Sequence, residues 1–289
     1  MVICRTIGSL NEYLSARPQG PRLGFIPTMG ALHDGHASLI REARAGGRFT
    51  VVSVFVNPTQ FNDPSDFQKY PKTVDQDVYL LEKTGADVLF LPDVTEIYPQ
   101  GTAPAKHYDL GYLETVLEGA YRPGHFQGVC QVVERLLRIV APDDLYMGQK
   151  DYQQCMVVQR LIDLEHLPVT LVVSPIRREP DGLAMSSRNM RLDAAHRAGA
   201  IAIYEALEDI RRGFTRGPLT ALTDAARAAL EAKGFRVDYV SIADAASLRL
   251  LGKWDGKTPA VALIAAFYND VRLIDNEVLA QAHQLHKVS

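Results

Sequence analysis

The sequence has little of what disulfide-stapled, nucleic-acid-binding or membrane-spanning proteins contain. Its three cysteines, Cys4, Cys130 and Cys155, form no Cys-x-x-Cys pair, and their odd number argues against a disulfide framework, so we predict reduced thiols. The formal net charge of −3 lacks the basic excess that a broad nucleic-acid-binding surface requires. No apolar run approaches the roughly 20 residues of a spanning helix, and no secretory signal pattern opens the chain. We therefore expect a cytoplasmic protein that binds neither nucleic acid nor membranes.

The first part of the chain alternates short apolar runs with helical patterns. Its 289 residues, 47% of them hydrophobic, suffice for one large domain or two unequal ones. Strands are predicted at 23–26, 49–56, 87–91, 145–147 and 169–173. Helices are predicted at 37–45, 74–83, 129–140 and 152–164. Such alternation is typical of an α/β protein with right-handed crossovers, and it predicts a Rossmann-like, doubly wound parallel sheet over residues 1–175.

The pattern changes near residue 175. Helices are predicted at 193–212 and 219–233, and strands follow them at 235–242 and 260–267. Helices followed by strands, without the earlier alternation, are typical of an α+β arrangement. We therefore predict a second, smaller C-terminal α+β domain over residues 176–289.

The stretch Pro-Thr-Met-Gly-Ala-Leu-His-Asp-Gly-His, residues 27–36, carries the strongest chemical signal. It follows a predicted strand and opens a helix, which is where ligands bind in open α/β sheets. Gly30 and Gly35 allow close backbone approach, and a helix N-terminus offers free N–H groups to phosphate. His33 and His36 can donate hydrogen bonds to phosphoryl oxygens as negative charge develops there. An isolated His-x-x-His pair is more often structural, so the strand–turn–helix context carries this interpretation.

Five further segments extend this motif along the chain. They are Val-Asn-Pro-Thr-Gln-Phe at 56–61, Tyr-Pro-Lys-Thr at 70–73, Arg-Pro-Gly-His-Phe at 122–126, Gly-Gln-Lys-Asp-Tyr-Gln-Gln at 148–154 and Met-Ser-Ser-Arg-Asn at 185–189. His-x-Gly-His after a first strand is similar to the signature of the nucleotidylyltransferase superfamily, which includes class I aminoacyl-tRNA synthetases. The longer string and the first four segments resemble the pantothenate synthetase family in particular. The last segment resembles a variant of the superfamily's KMSKS loop.

The resemblance implies an ATP-dependent ligase that condenses pantoate with β-alanine. Pantoate would be activated as pantoyl adenylate with release of pyrophosphate, and the β-alanine amine would then displace AMP. It further implies Mg²⁺, a homodimer, nucleotide and pantoate binding in the first domain, and a phosphate-binding loop in the second. ATP, pantoate and β-alanine would be its small-molecule partners.

The resemblance also assigns roles to individual residues. A guanidinium fork or an ammonium suits phosphate, and a primary amide suits a carboxylate next to a hydroxyl because it both donates and accepts. The implied catalytic residues are His33, His36, Lys150, Ser186, Ser187 and Arg188. ATP-binding residues would be those six with Pro27, Thr28, Met29, Gly30, Gly148, Asp151, Ile176 and Met185. Pantoate would contact Gln60, Gln154 and Met29. Weaker assignments are Arg122 and His125 at the mouth of the pocket, Tyr70 as a possible site residue and Asp77 at magnesium.

Three alternatives stay open at the level of sequence. Another nucleotidylyltransferase would join a nucleotide to a phosphate-bearing acceptor, but its acceptor site should be basic where this chain has Gln60 and Gln154. A tRNA-binding module related to class I synthetases should show a basic surface, which the net charge does not favour. A catalytically inactive ATP sensor should have lost part of the motif set, and every motif is intact.

Some residues that often carry chemistry lack a supporting pattern here. Five histidines have no partner spacing and are expected at the surface: His107, His166, His196, His283 and His286. Trp254 lies between glycine-containing dipeptides and is expected to anchor a loop rather than stack on a base.

Overall fold

A computed structural model describes residues 1–17, 20–61, 64–104 and 106–280. The chain divides into two compact units, Met1–Arg177 and Arg178–Ser289. The sequence predicts the boundary after residue 175, and the roles assigned to the two domains stay predictions. His283 and His286 lie outside the described residues.

The first unit is built on a six-stranded parallel sheet. Its strands are β1 (Val2–Cys4), β2 (Leu23–Thr28), β3 (Phe49–Val54), β4 (Val88–Phe90), β5 (Asp144–Gly148) and β6 (Thr170–Ser174). The strand order is β1-β4-β3-β2-β5-β6. The chain runs from β2 outward through β3 and β4 on one side, and through β5 and β6 on the other. The topological switch point, where open α/β sheets bind ligands, therefore lies between β2 and β5.

Helices alternate with these strands along the chain. They are α1 (Ile7–Ser15), α2 (Asp34–Ala45), α3 (Pro64–Gln68), α4 (Val74–Thr84), α5 (Val94–Ile97), α6 (Glu118–Tyr121), α7 (His125–Val140) and α8 (Tyr152–Leu164). Short 3₁₀ turns lie at Pro58–Gln60, Gly111–Glu114 and Gln149–Asp151. Val51 and Val52 in β3 are fully buried, as expected of a parallel strand between apolar layers. Gly85 ends α4 in the left-handed conformation that glycine adopts without strain.

The second unit contains an antiparallel sheet. Its helices are α9 (Ala194–Gly199), α10 (Ala202–Gly213) and α11 (Thr220–Ala232), and a 3₁₀ helix spans Ser187–Arg191. Its strands are β7 (Gly217–Pro218), β8 (Arg236–Asp244), β9 (Lys253–Trp254), β10 (Ala260–Tyr268) and β11 (Val271–Ala280). The larger sheet has the order β11-β10-β8, and β7 pairs with β9. A parallel α/β sheet with a smaller C-terminal antiparallel sheet confirms the predicted fold class.

Several element boundaries differ from the sequence predictions. Helix α2 begins three residues before position 37, because His33 caps it, and α7 begins four residues before position 129. His125 therefore lies in the first turn of a helix rather than in a loop. The helix predicted at 193–212 is two helices, α9 and α10. Strands β1 and β11 were not predicted, since β1 is only three residues long and β11 contains charged residues at buried positions such as Asp275.

Trp254, the histidines without partner spacing and the cysteines were given no chemical role from the sequence, and the structure shows where the described ones lie. Trp254 packs against Phe214 with ring centroids 4.3 Å apart and donates its indole N–H to the carbonyl of Thr258, so it anchors a loop. His107 and His166 are exposed, whereas His196 is half-buried. The three cysteines are buried and unpaired, as predicted. In the described part of the chain, no helix has the length and apolar character needed to cross a membrane.

Candidate functional site

Three segments with predicted site residues leave the carboxyl ends of neighbouring strands. The turn at residues 29–36 follows β2, residues 55–61 follow β3, and the 3₁₀ turn Gln149–Asp151 follows β5. Strand β2 pairs with both β3 and β5 in parallel. Because the carboxyl ends of parallel strands meet at one edge, the sheet brings these segments to the same edge beside the switch point.

The turn after β2 has an unusual backbone. Gly30 has φ of +82° and Ala31 has φ of +50°, so two successive residues adopt left-handed conformations. The Thr28 hydroxyl accepts the N–H of Gly30 and donates to the carbonyl of Ser53, which ties the turn to β3. Left-handed backbone is strained for a residue with a β-carbon, and such strain is characteristic of functional turns. The turn ends at His33, the N-cap of α2.

His33 and His36 form a close pair of neutral imidazoles. Their ring centroids are 4.1 Å apart, and the backbone N–H of His33 donates to Nδ1 of His36 over 3.3 Å. Burial is the main cause that lowers the pKa of His33 to about 2 and that of His36 to about 4. The positive charge of Lys150 lowers both pKa values further. Both rings are therefore neutral at neutral pH.

The hydrogen bond at Nδ1 decides which nitrogen of His36 carries the proton. A neutral imidazole has one donor and one acceptor, so an accepting Nδ1 leaves Nε2–H as the donor. Nδ1 of His33 is buried and has no hydrogen-bond partner among the described residues. Buried polar atoms are almost always paired, so this nitrogen is an exception among the described residues.

Lys150 supplies positive charge beside the two histidines. It lies in the 3₁₀ turn after Gly148, and its Nζ is 3.4 Å from Oδ1 of Asp151. Its side chain is 18% exposed. The predicted ATP-binding residues on β2, on β5 and in the turns that follow them thus share one region of the first unit.

Gln60 and Met29, both predicted to contact pantoate, lie against each other. Nε2 of Gln60 is 2.8 Å from Sδ of Met29, and Nδ2 of Asn57 donates to Oε1 of Gln60 over 3.2 Å. This contact joins the segment after β3 to the turn after β2. Tyr70 is buried and packs its ring edge-on against Phe61, the residue that follows Gln60.

A buried hydrogen-bond network around Asn57 holds the segment that contains Gln60. Asn57 is buried, accepts the hydroxyl of Tyr98 over 2.9 Å and donates to the carbonyl of Gly128 over 3.3 Å. A β-carbon at Gly128 would lie 2.1 Å from the carbonyl oxygen of Thr59. Helix α7 can therefore contact the 3₁₀ turn Pro58–Gln60 only because residue 128 is glycine.

Arg122 and His125 contact the backbone of Gln60. Nδ1 of His125 is 2.7 Å from the Gln60 carbonyl oxygen, and a carbonyl only accepts, so Nδ1 carries the proton. Nε2 of His125 then accepts from Arg122 over 3.0 Å, and Arg122 also pairs with Glu118 at 3.5 Å. The structure thus brings both residues to the predicted pantoate-binding segment, with His125 in a helix rather than in the expected loop.

The two neighbouring glutamines of α8 have different surroundings. Gln153 is buried, accepts the N–H of Glu118 and donates to the carbonyls of Leu113 and Val116, so its oxygen and both of its N–H groups bond to the fold. Gln154 is half-buried and makes no side-chain hydrogen bond within the described residues. Gln154, unlike Gln153, thus has a side-chain amide without a partner among the described residues, and its assignment to pantoate stays a prediction.

Asp77, which was predicted to help bind magnesium, is bonded to donors of the fold, and the predicted magnesium role stays a prediction. Its carboxylate is buried and accepts the backbone N–H groups of Ala31 and Leu32 and the hydroxyl of Thr73. Each oxygen thus accepts at least one hydrogen bond from a donor of the fold. Over the described ranges, no group of three or more His, Cys, Asp or Glu side chains is arranged to hold a metal ion.

The Met-Ser-Ser-Arg segment lies in the second unit and is a helical turn rather than an irregular loop. The Ser186 hydroxyl accepts the N–H of Arg188 and caps the 3₁₀ helix Ser187–Arg191. Asn189 donates its side-chain amide to the carbonyl of Ala184. Ser187 is buried, and Met185, Ser186 and Arg188 are half-buried. Ile176, in the first unit, is half-buried two residues after the end of β6.

Comparison with known proteins identifies the family. A family model described as pantoate-beta-alanine ligase matches residues 2–278. The chain belongs to the pantoate–β-alanine ligase family. It is 44% identical over 278 residues to a pantothenate synthetase of Bacteroides thetaiotaomicron, a match that covers 96% of this chain and 98% of the relative. It is 45% identical over 284 residues to that of Cytophaga hutchinsonii, covering 96% and 99%.

Solved structures of pantoate–β-alanine ligases have the same fold. A crystal structure of pantothenate synthetase from Thermus thermophilus is 40% identical, with a TM-score of 0.88 and coverage of 97% of this chain and 100% of that one. The ligase of Francisella tularensis, solved in complex with beta-gamma ATP and beta-alanine, is 35% identical, with a TM-score of 0.81 and coverage of 96% and 98%. These similarities confirm the predicted family, fold class and ligase activity. They give no support to a different nucleotidylyltransferase.

Sequence reasoning missed part of this ligase site. Asn57 lies inside a matched segment but was assigned no role, and its burial shows that it supports Gln60. Tyr98 and Gly128 lie outside every matched string, since Gly128 is two residues past Phe126. Their contribution depends on contacts across 41 and 71 positions of the chain to Asn57, which no local pattern reveals.

Proposed function

We propose that this ligase condenses pantoate with β-alanine in two half-reactions, through a pantoyl adenylate. The observation that carries the proposal is the neutral pair His33 and His36 beside Lys150, at the carboxyl ends of β2 and β5. The Francisella relative solved with beta-gamma ATP and beta-alanine supports the same two substrates here. Family membership supports pantoate as the acid.

In the first half-reaction, a pantoate carboxylate oxygen attacks the α-phosphorus of ATP in line, and the bond to the β-phosphate breaks to release pyrophosphate. A carboxylate is already ionised at neutral pH and needs no general base. The protein must position two anions and stabilise the charge that develops on the phosphates. Nε2–H of His36 and the ammonium of Lys150 are proposed to donate to those oxygens. The phosphate roles proposed for Ser186, Ser187 and Arg188 rest on the resemblance to the KMSKS loop.

Gln60 and Gln154 are proposed to bind the carboxylate and hydroxyl of pantoate, with Met29 in contact with its carbon skeleton. Among the described residues, Nε2 of Gln60 contacts the thioether of Met29, which is a weak acceptor, so a stronger acceptor on the substrate would displace that contact. In the second half-reaction, the β-alanine nitrogen attacks the acyl carbon, the bond to the AMP oxygen breaks, and the amine loses a proton.

Magnesium is proposed to enter as part of the nucleotide substrate. Mg²⁺ usually keeps several waters and binds substrate phosphates with one or two carboxylates, so a dedicated protein cage is not required. The engaged oxygens of Asp77 and the absence of a metal-binding cluster within the described residues agree with an ion carried by ATP. We also propose a cytoplasmic homodimer on the strength of the family resemblance, and light scattering of the purified protein tests the dimer.

The decisive experiment follows pyrophosphate and AMP separately. Enzyme is first supplied with ATP, magnesium and pantoate, and β-alanine is added later. We expect pyrophosphate in the first stage, in an amount limited by the enzyme, and AMP only after β-alanine. A parallel reaction without pantoate should release neither product. Pyrophosphate release that does not depend on pantoate, or AMP that appears before β-alanine, would contradict the proposed order.

A further inference from the structure

We propose that Asp77 is a positioning residue, which fixes the backbone of the turn at residues 30–32 and thereby orients His33 and His36 for adenylation. The proposal rests on the function proposed above. It replaces the magnesium role that the family resemblance suggests for Asp77. It is based on the hydrogen bonds between Asp77, the fourth residue of α4, and a turn more than forty positions earlier in the chain.

The carboxylate of Asp77 accepts from two consecutive backbone groups of the turn. Oδ2 accepts the N–H of Ala31 over 3.0 Å, and Oδ1 accepts the N–H of Leu32 over 2.7 Å. The hydroxyl of Thr73 donates to Oδ1 over 3.1 Å. Asp77 is only 2% exposed, so little water competes for these bonds. Hydrogen bonds to an ionised acceptor are about twice as strong as those between neutral groups.

The turn needs such a partner because its backbone is strained. Gly30 and Ala31 both have positive φ, and for Ala31 the left-handed conformation is unfavourable. A strained conformation persists only when its surroundings over-determine it. A β-carbon at Gly30 would lie 3.0 Å from Oδ2 of Asp77, so the carboxylate packs directly against the glycine. The carboxylate thus fills the inner side of the turn.

Fixing Ala31 and Leu32 fixes the histidines that follow. His33 comes directly after Leu32, and its backbone N–H donates to Nδ1 of His36. That bond sets the proton of His36 on Nε2, the nitrogen proposed to face the phosphate. If the N–H groups of Ala31 and Leu32 lost their acceptor, the left-handed pair would relax and shift the start of α2. A misplacement of about 1 Å can cost roughly 100-fold in rate.

The test is Asp77→Asn, which keeps the shape but leaves one acceptor oxygen and places an NH₂ group against a backbone N–H. We expect the maximal rate of pantoate-dependent exchange between pyrophosphate and ATP to fall about 10- to 100-fold. The KM values for ATP and pantoate should change less than about three-fold, because a positioning role gives Asp77 no contact with either substrate. The magnesium concentration for half-maximal rate should not change. The matched control is Asp75→Asn, an exposed aspartate in the first turn of the same helix, which should behave as wild type.

Three outcomes would overturn the proposal. A raised magnesium requirement, with the rate recovered by excess magnesium, would make Asp77 a metal ligand. A lowered melting temperature with an unchanged maximal rate per folded enzyme would leave it a purely structural role. A wild-type rate in Asp77→Asn would remove any role.

A milder variant keeps the test decisive if Asp77→Asn does not fold. Thr73→Val removes one donor to the carboxylate and leaves both backbone bonds, so it should lower the maximal rate by about two- to five-fold, with magnesium dependence unchanged. An unchanged rate in a folded Thr73→Val would count against the proposal. Absence of pantoate-dependent exchange in the wild-type enzyme would instead refute the proposed function.

Discussion

The turn at residues 29–36 and the segment at residues 57–61 leave neighbouring strands of one sheet, yet different forces hold them. The turn has a strained left-handed backbone, and a buried carboxylate accepts its N–H groups. The segment has a 3₁₀ turn that packs against a glycine of α7 and bonds to the side chain of Asn57. The first is held mainly by a buried carboxylate, and the second by close packing against a glycine together with side-chain hydrogen bonds.

The difference matches what each segment is proposed to bind. The turn is proposed to bind a triphosphate, and its hydrogen bond to Nδ1 of His36 leaves a neutral imidazole with the proton on Nε2. The segment faces a small hydroxy acid, where the position of one amide to within a fraction of an ångström matters more than charge. Substitutions in and behind the turn should therefore change the rate of adenylation, and substitutions behind the segment should change the KM for pantoate.

The largest effect is expected from His36→Ala. Loss of an oriented donor to a developing oxyanion typically costs about 100-fold or more in rate. Pantoate-dependent exchange between pyrophosphate and ATP should fall by that factor, with a small change in the KM for pantoate. His107→Ala, at an exposed histidine, is the control. An exchange rate within a few-fold of wild type would remove His36 from the chemistry.

Gly128→Ala should act on the other segment. The new methyl would overlap the carbonyl oxygen of Thr59, and relieving such overpacking costs about 1–3 kcal/mol. We expect the KM for pantoate to rise about 10-fold, with the KM for ATP within about two-fold of wild type. Gly252→Ala is the control, because no atom lies within 4 Å of its added β-carbon. Equal increases in both KM values would break the distinction between the two segments.

Tyr98→Phe should produce a smaller change of the same kind. It removes the 2.9 Å hydrogen bond to Oδ1 of Asn57 and leaves the ring in place. A buried hydrogen bond contributes about 1 kcal/mol, so the KM for pantoate should rise about two- to five-fold. Tyr79→Phe, at a tyrosine that is 68% exposed, is the control. An unchanged KM would show that Asn57 holds Gln60 without help from Tyr98.

The smallest effect concerns pH. Because burial lowers the pKa of His36 to about 4 and that of His33 to about 2, adenylation should show no inflection near 6.5 from these residues. In the unfolded chain they bind protons below about pH 6.5, so the free energy of unfolding should fall as the pH is lowered from about 6.5 towards 4. Urea denaturation at pH 7 and pH 5 measures this loss. The loss should be smaller in the double variant His33→Gln/His36→Gln, and an equal loss would contradict the lowered pKa values.

Much of the fold could be predicted from local pattern. Buried parallel strands are continuous apolar runs, so β3 and β5 were found within two residues of their ends, and α8 was found at its observed bounds. Strand β11 was missed because it has a charged residue, Asp275, at a buried position, which interrupts the alternation of apolar and polar residues. Arg178 neutralises this charge by pairing with Asp275 over 2.6 Å, a contact that the local sequence does not reveal. The site residues inside matched strings were found as candidates, but the roles of Asp77 and Gly128 were not.

The sequence alone determined the family, the ligase activity and the position of the turn proposed to bind phosphate, because long strings and strand–helix alternation are local properties. Only the tertiary structure decided that His36 carries its proton on Nε2, that Gln154 rather than Gln153 is available to a ligand, and that Asp77 serves the turn. Each of those conclusions depends on which donor or acceptor faces a given atom, and such partners lie far apart in the chain. The packing of the folded chain, rather than the type of residue, determines which donors and acceptors meet.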